Sequence, residues 1–335
     1  MAKKLKTNNP KKNLRRIAVL CSGGDSPGMN CAIRAVVRTA LGHGLSVYGI
    51  QKGYAGLLEN NIRELSVSSV GNILQHGGTV LQTSRSTEFR TPEGRKKAAS
   101  ILKKHKIEAL VVIGGDGSYN GAMALHLEHN VPVVGIPGTI DNDISGTDYT
   151  IGFDTAVFNA VEAVDKIRDT ANSHARTFIV EVMGRKSPAI ALKVGICTGA
   201  ENVVLPTEKI NYKKIAGDID RGIKRGKTSS IIIAAEGEVS GIGHTIQKNL
   251  SEKFKLDAHV CILGHIQRGG NPTPTDRLIA SQMGSMAVEA LLSGHNSAST
   301  VFLNGKVSIS PLKNCLRKKN EFDMSEVELL TALSI

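Results

Sequence analysis

The chain has 335 residues, of which 41% are apolar, 21% charged and only 4% aromatic, and its mean hydropathy is −0.08. This length is ample for two domains with a sizeable core, and the composition is typical of a globular protein. The low aromatic content argues against a surface that stacks single-stranded nucleic acid, which needs exposed aromatic side chains.

The net charge of +12 is concentrated at the start of the chain, where residues 1–16 carry seven Lys or Arg and no acid. The remainder therefore carries 12 − 7 = +5, a balance that suits polyanionic ligands. We interpret residues 1–13 as a basic disordered tail. A nucleic-acid-binding arm is the alternative, and because nothing else in the chain supports it, we do not expect nucleic acid to be a partner.

The cysteines indicate a reducing compartment. There are five, widely spaced and without a CxxC pair, which argues against a disulfide framework or a zinc site. The basic N-terminal run is not followed by the apolar segment of a secretory signal, and no apolar stretch approaches the roughly 18 residues of a membrane span. We therefore predict a cytoplasmic protein with no membrane partner.

Taken in chain order, short apolar runs alternate with helical patterns. The predicted strands are residues 16–20, 45–50, 109–113, 131–136, 177–182 and 229–235. The predicted helices are residues 29–41, 93–105, 119–127, 155–170, 189–198, 212–225 and 276–292. Such alternation predicts βαβ units, an α/β fold and mostly parallel sheets with helices on both faces. A domain boundary is predicted near residue 151, with a return to the first lobe after about residue 266.

Two glycine-rich turns follow predicted strands, where α/β sheets bind ligands. The first, SGGDSPG at residues 22–28, precedes a helix and can receive phosphate, although a plain glycine turn explains it equally well. The second, GGDGS at residues 114–118, holds Asp116 between glycines. A short acid at this place can hold a magnesium ion that bridges phosphates, and a helix-capping Asp is the structural alternative.

A third turn carries two carboxylates, in GTIDND at residues 138–143. Asp141 and Asp143 are two residues apart, so in an extended or turn segment we expect them to project to the same side. One can act as general base to a hydroxyl while the other orients substrate or metal. Arg176, Arg185 and Arg268 supply guanidinium groups that match phosphate oxygens. We expect the three turns to meet in one cleft suited to phosphoryl transfer.

Longer motifs around these turns resemble the bacterial ATP-dependent 6-phosphofructokinases. They are LCSGGDSPGMN (residues 20–30), VIGGDGS (112–118), PGTIDND (137–143), GTDYTIG (146–152), EVMGR (181–185) and LGHIQRGG (263–270). The similarity runs in order from about residue 17 to 294. It implies two similar three-layer α/β/α lobes with mostly parallel sheets. We assign residues 14–151 plus about 266–316 to an ATP-binding lobe, and 152–265 plus about 317–335 to a sugar-phosphate-binding lobe.

The resemblance also implies the chemistry, which is transfer of the γ-phosphate of ATP to the C1 hydroxyl of fructose 6-phosphate in glycolysis. Asp141 corresponds to the general base, with Thr139 and Asp143 flanking it, and Arg185 to the cation that stabilises the moving phosphoryl group. Asp116 corresponds to the Mg²⁺ ligand. The positions implied to contact ATP are Gly24, Arg85, Ser86, Gly115, Asp116, Gly117 and Ser118.

Further positions match sugar-phosphate and effector contacts of the family. Those for fructose 6-phosphate are Thr139, Asp141, Arg176, Met183, Gly184, Arg185, Glu236, His259, His265 and Arg268. Arg176 and the position of His259 serve the site of a neighbouring subunit, which implies a homotetramer. Those for an ADP or phosphoenolpyruvate effector are Arg34, Arg38, Arg168, Glu201, Arg225 and Lys227.

Three departures from the family pattern are visible. Val67 stands where the effector site has a further Arg, and Lys186-Ser187-Pro188 replaces a usual Cys-Gly pair. His259 stands where the family usually has an Arg that grips the 6-phosphate. Imidazole offers fewer donors than guanidinium and changes charge between pH 5 and 8. We therefore expect weaker, more pH-sensitive binding of the sugar phosphate. The segment beyond residue 299 matches nothing, and we interpret it as a solvated closing element.

The sequence leaves three alternatives to this function open. The altered position 259 leaves room for another sugar phosphate, such as sedoheptulose 7-phosphate. A pyrophosphate-dependent variant is a second alternative, although such relatives tend to carry Asp at position 117 and Lys at position 138, where this chain has Gly117 and Gly138. A non-enzymatic regulatory or nucleic-acid-binding protein is the third, and the presence of Asp116, Asp141 and Arg185 argues against it.

Overall fold

The structure, a computed structural model, describes residues 14–174, 176–206, 209–317 and 324–333. The predicted basic tail, residues 1–13, lies outside the described residues. The helices are α1 (Met29–Gly42), α2 (Gly53–Leu58), α3 (Pro92–Lys104), α4 (Asp116–His129), α5 (Phe153–His174), α6 (Ala189–Thr198), α7 (Tyr212–Lys224), α8 (Ile242–Phe254), α9 (Pro274–Leu292), α10 (Leu312–Cys315) and α11 (Met324–Leu333). The strands are β1 (Arg16–Ser22), β2 (Ser46–Ile50), β3 (Ile62–Leu65), β4 (Ala109–Gly114), β5 (Val133–Pro137), β6 (Thr177–Val182), β7 (Asn202–Val204), β8 (Ser230–Ala235), β9 (Ala258–Ile262), β10 (Ser297–Leu303) and β11 (Lys306–Pro311).

The chain divides into two compact units. The first consists of Met1–Thr139, Asp143–Gly152 and Asn271–Lys319, so far as these ranges are described, and the second of Ile140–Asn142, Phe153–Gly270 and Asn320–Ile335. The return to the first unit was predicted at about residue 266. It comes later because the side chain of Asn159 on α5 donates to the carbonyl of Gly269 at 2.9 Å, which attaches the 3₁₀ turn Gly264–Arg268 to the second unit.

The first unit is a seven-stranded sheet in the order β11-β10-β5-β4-β1-β2-β3. Its central strands are parallel, and β3 and β11 are antiparallel edges. Alternate residues of β1 enter different cores, because side chains of a strand point to opposite faces. Ile17 and Val19 pack with α1 and α9, whereas Ala18 and Leu20 pack with α2, α3 and α4. This is the predicted three-layer arrangement.

The second unit is a parallel four-stranded sheet in the order β7-β8-β6-β9. Ile179 of β6 and Ile232 of β8 pack against α7 and α8 on one face. Helix α6 contacts β7 and β8, and α5 contacts β6. Both units are thus α/β with mostly parallel strands, as predicted. Within the described ranges, every helix is too short or too polar to cross a bilayer.

The C-terminal prediction was wrong. The segment beyond residue 299 is not a solvated closing element, since β10 pairs with β5 and β11 pairs with β10 at the edge of the first sheet. Val301 is buried, as are Leu312 and Cys315 of the short helix α10. Ser299 and Thr300 of β10 are polar although both are completely buried, so the sequence of this strand lacks a long apolar run.

Candidate active site

Two glycine-rich loops lie side by side in the first unit, because β1 and β4 are adjacent and parallel. The Ser118 hydroxyl donates to the carbonyl of Ser22 at 2.8 Å, which joins the two loops. A Cβ atom on Gly114 would lie 2.4 Å from the same carbonyl, so this close approach requires glycine. The structure therefore brings Gly24 and residues 115–118, predicted to contact ATP, to one edge of the sheet.

A third segment completes this group. The Thr83 hydroxyl donates to the carbonyl of Gly23 at 2.8 Å, and the Ser86 hydroxyl accepts the Phe89 N–H at 3.1 Å. The side chain of Arg85 is exposed. Thr83 thus binds the loop after β1, and Arg85 and Ser86 belong to the same unit as the other predicted ATP contacts.

Asp116 is the first residue of α4, preceded by Gly115 as the N-cap, and it is exposed. It does not cap the helix with its own side chain, so the structural alternative for this Asp is not supported. Among the described residues, no group of three or more His, Cys, Asp or Glu is arranged to hold a metal ion. One exposed carboxylate fits Mg²⁺, which is usually bound through one or two carboxylates, substrate phosphates and water.

The loop after β5 carries the two predicted carboxylates, which differ in burial. Asp141 is 6% exposed, whereas Asp143 is exposed to solvent. Asn142 between them has φ 48°, so the segment is a turn. Thr139, whose carbonyl accepts the Thr150 hydroxyl at 2.6 Å, and Asp143 belong to the first compact unit, and Asp141 to the second.

The environment of Asp141 combines burial with charges of both signs. Burial raises the pKa of its carboxyl above the ordinary value, the positive charges of Arg268 and Arg185 oppose this rise, and the negative charge of Glu236 adds to it. Four predicted site residues of the second unit are therefore close enough to interact electrostatically. A buried carboxyl with a raised pKa is the form expected of a general base.

Arg185 is carried by a strained turn after β6. Gly184 has φ 140° and Arg185 has φ 50°. The turn is closed by the Ser187 N–H, which donates to the carbonyl of Gly184 at 2.8 Å. A Cβ on Gly184 would lie 2.6 Å from the carbonyl oxygen of Ser187, so glycine is required there. Strained backbone of this kind is common where a side chain has to be aimed at a ligand.

Several other predicted sugar-phosphate contacts directly follow neighbouring strands of the second sheet, at the carboxyl ends of those strands. Met183 directly follows β6 and is 8% exposed. Glu236 follows β8, and its N–H donates to the carbonyl of Val182 at 2.9 Å. His265 and Arg268 lie in the 3₁₀ turn after β9. The structure thus brings them together at the carboxyl edge, with Gly184 and Arg185.

Arg176 and His259 lie at the opposite edge of the same sheet. Arg176 immediately precedes β6, and His259, the second residue of β9, pairs with Phe178 and lies 5.4 Å from its ring. The seven residue-to-residue steps from Arg176 to Met183 span about 23 Å at the strand rise of about 3.3 Å per residue. Within one copy of the chain, these two side chains are therefore separated from the group around Arg185.

The predicted effector residues fall into two sets. Arg34 and Arg38 lie on α1 of the first unit. In the second unit, Arg168 donates to the carbonyl of Thr198 at 2.6 Å, and the largely buried Glu201 pairs with Lys227. Arg225 is the C-cap residue of α7, two residues before Lys227, and is exposed, as is Val67 in the first unit.

Two buried polar side chains were missed by the sequence analysis. Gln267 is completely buried, and its Oε1 accepts the N–H of Met183 at 2.8 Å. Glu181 is 1% exposed and accepts three hydrogen bonds from residues 240, 241 and 243. For Glu181 the available signal was its place within the apolar strand β6, since a charged residue inside a buried strand requires partners. Gln267 stands among polar residues and carries no such signal.

Comparison with known proteins identifies the family. Residues 16–291 match the family model described as Phosphofructokinase. The chain is 50% identical over 322 residues to the ATP-dependent 6-phosphofructokinase of Halalkalibacterium halodurans, covering 96% of this chain and 100% of the relative. It is 49% identical, with the same coverage, to ATP-dependent 6-phosphofructokinase 1 of Thermus thermophilus.

A solved structure gives the same result for the fold. The phosphofructokinase of Saccharomyces cerevisiae superposes with a TM-score of 0.84 at 37% identity, over 95% of this chain. This chain spans 46% of that longer yeast chain, whereas it spans the curated bacterial relatives completely. The fold, the family model and the full-length relatives agree, and the chain belongs to the phosphofructokinase family.

Proposed function

We propose that this protein transfers the γ-phosphate of ATP to the C1 hydroxyl of fructose 6-phosphate, giving fructose 1,6-bisphosphate and ADP. The proposal is supported by full-length relatives at about 50% identity that are ATP-dependent 6-phosphofructokinases. The structural observation that carries it is the buried Asp141, whose carboxyl interacts with the charges of Arg268, Arg185 and Glu236.

Asp141 acts as the general base in this proposal. Its raised pKa makes it a stronger proton acceptor than an ordinary carboxylate, provided that it is ionised, and the two guanidinium groups favour the ionised form. Arg185 shields the charge of the transferring phosphoryl group, and Thr139 and Asp143 flank the base. Phosphoryl transfer requires such positioning and charge stabilisation more than covalent help from the protein.

The first unit would bind ATP through the loops after β1 and β4 and the segment carrying Arg85 and Ser86. Backbone N–H groups and the helix terminus at α4 suit phosphate. Asp116 would hold Mg²⁺, which when bound shields the charge of the β- and γ-phosphates. This lobe assignment, like each ligand contact in it, is a proposal.

The second unit would bind fructose 6-phosphate. Met183, Gly184, Glu236, His265 and Arg268 at its carboxyl edge would contact the sugar phosphate. Arg176 and His259 lie at the opposite edge, which supports a site completed by these residues from a neighbouring copy. We therefore propose a homotetramer of the family type, with an ADP or phosphoenolpyruvate effector bound by Arg34, Arg38, Arg168, Glu201, Arg225 and Lys227. Cytoplasmic location is proposed from the glycolytic reaction and the free cysteines.

The decisive assay is ADP production from ATP, Mg²⁺ and fructose 6-phosphate, repeated with pyrophosphate as donor and with sedoheptulose 7-phosphate as competing acceptor. We expect turnover with ATP and fructose 6-phosphate and a loss of about 10² or more in Asp141→Ser if Asp141 is the base. Retained turnover in that variant overturns the assignment of the base. Faster turnover with pyrophosphate, or a clear preference for the seven-carbon sugar, overturns the donor or the acceptor.

A further inference from the structure

Glu181 is a buried carboxylate in the middle of the second sheet, where β6 lies between β8 and β9. It is 1% exposed. Its Oε1 accepts the hydroxyl of Ser240 at 2.8 Å and the N–H of Gly241 at 2.7 Å, and its Oε2 accepts the N–H of Gly243 at 2.8 Å. Three donors compensate the cost of burying this charge, and all three come from one short segment.

The segment is the start of α8. Gly241 is the N-cap of this helix and has no side chain with which to accept the N–H groups of the first turn. Glu181 supplies the missing acceptor from the neighbouring strand, and its charge suits the positive end of the helix dipole. Gly243 allows the approach, since a Cβ there would lie 2.8 Å from Val260 and 3.3 Å from Glu181 Oε2.

Between β8 and α8 lies the loop of residues 236–241, which begins with Glu236. The N–H of Glu236 donates to the carbonyl of Val182, and Ser240 and Gly241 donate to the carboxylate of Glu181. Since Glu181 and Val182 are consecutive residues of β6, one short stretch of this strand anchors both ends of the loop. The middle of the loop, residues 238–240, is exposed. Lys186 forms an ion pair with Glu238 at 2.6 Å, but both side chains are more than two-thirds exposed, and such pairs contribute little.

Glu181 also reaches the segment after β9. Its backbone carbonyl accepts the N–H of Leu263 at 3.0 Å, immediately before the 3₁₀ turn that carries His265 and Arg268. One residue therefore contacts both segments that flank the group around Arg185. The carboxylate holds the loop of Glu236, and the carbonyl holds the turn of Arg268.

We infer that Glu181 is a positioning residue for sugar-phosphate binding, which acts by fixing the loop of residues 236–241 and with it the Glu236 carboxylate. This inference rests on the proposed function, in which Glu236 contacts fructose 6-phosphate. Glu181 does not itself touch the substrate. Its effect is on the KM of the sugar phosphate and not on ATP binding, because its contacts lie entirely within the second unit.

The test compares two variants that each alter a side-chain hydrogen bond of α8 or its N-terminus. In Glu181→Gln, the amide nitrogen faces the N–H of Gly243, so one anchoring bond becomes a donor–donor contact. In Gln247→Leu, the control, α8 loses its side-chain bond to the carbonyl of Ala258 (2.7 Å), away from the loop. We expect the KM for fructose 6-phosphate to rise about tenfold in Glu181→Gln alone. The KM for ATP should change less than twofold in both variants.

Amide hydrogen exchange of the unliganded protein separates this inference from the proposed function. We expect the N–H groups of Gly241 and Gly243 to exchange at least about tenfold faster in Glu181→Gln and to stay unchanged in Gln247→Leu. Unchanged exchange in Glu181→Gln overturns the anchoring. Faster exchange without a rise in the KM for fructose 6-phosphate overturns the positioning role. A wild-type protein without activity on fructose 6-phosphate overturns the proposed function, while exchange still decides whether Glu181 holds the loop.

Discussion

The side-chain carbonyl of Gln267 accepts the backbone N–H of Met183 at 2.8 Å, and Gln267 is completely buried. Arg268 is the next residue after Gln267, and Arg185 lies two residues after Met183. This hydrogen bond thus joins the segments that carry the two cations acting on Asp141. The relative position of these guanidinium groups depends on a side chain with no role in the chemistry itself.

Replacing Gln267 with leucine should therefore reduce both activity and stability. The Met183 N–H would lose its acceptor in a buried place, which costs about 1–3 kcal/mol of unfolding free energy. We expect kcat to fall about tenfold, since a small displacement of Arg185 or Arg268 weakens transition-state stabilisation. Urea unfolding and steady-state kinetics measure the two effects. Gln247→Leu on α8 is the control, and an equal loss of kcat in that variant would contradict the coupling.

The central strands of both sheets were predictable because they are apolar and buried on both faces. The predicted strand 177–182 coincides with β6, and the predicted helix 189–198 with α6. Short elements were missed: β7 has three residues and α2 has six, too few to establish a period. The region 242–262 was missed for another reason, since α8 carries its apolar residues Ile246 and Leu250 among many polar ones.

The site was predictable where residues stand beside glycine and follow a strand, as Asp116 and Arg185 do. Its supporting contacts were not, because Gln267 and Glu181 bind partners 84 and about 60 residues away along the chain. The difference in burial between Asp141 and Asp143 was also not predictable from the sequence, because it depends on the left-handed backbone of Asn142. Such conformations depend on the surrounding fold more than on local spacing.

Asp141 should lower the stability of the folded protein at neutral pH. Its folded-state pKa is raised, chiefly by burial, so the folded protein binds this proton more tightly than the unfolded chain. The stabilising effect of that proton is complete below the pKa that Asp141 has in the unfolded chain. It is lost as the pH rises through the pKa that Asp141 has in the folded protein. We expect Asp141→Asn to raise Tm at pH 7–8, with a difference that disappears below about pH 4. Thermal unfolding across this range measures it.

The same charges predict the pH dependence of turnover. If ionised Asp141 is the base, activity is lost as the pH falls through its raised pKa. Glu236→Gln removes a negative charge that raises this pKa, so the acid limb of the kcat profile should move to lower pH. Arg268→Gln should move it to higher pH. Profiles that coincide in all three proteins would contradict the assignment of the acid limb to Asp141.

The choice between ATP and pyrophosphate as phosphoryl donor can be tested at two glycines, Gly117 and Gly138. A side chain has room at Gly117 but not at Gly138. Among the described residues, no heavy atom lies within 4 Å of a Cβ placed on Gly117, and an acid in the first turn of α4 suits the helix dipole. We expect Gly117→Asp to fold with unchanged stability and to raise the KM for ATP about tenfold or more, by repulsion of the phosphates. Gly138→Lys is the contrast, because its Cβ would meet Ile113 and Met29 at 3.0 Å. That variant should lose about 1–3 kcal/mol of stability. An unchanged KM for ATP in Gly117→Asp would refute the donor argument.

His259 allows a test of whether the edge of the second sheet at which β6 and β9 begin binds the sugar phosphate. The imidazole lies 5.4 Å from the ring of Phe178 on β6, and Arg176 immediately precedes β6, so position 259 lies at the same edge of the sheet as Arg176. Guanidinium has five donors and a permanent charge, whereas neutral imidazole has one donor. His259→Arg should therefore lower the KM for fructose 6-phosphate about tenfold at pH 8. Steady-state kinetics of both proteins measure this difference. A KM that the substitution leaves unchanged would show that position 259 does not bind the 6-phosphate.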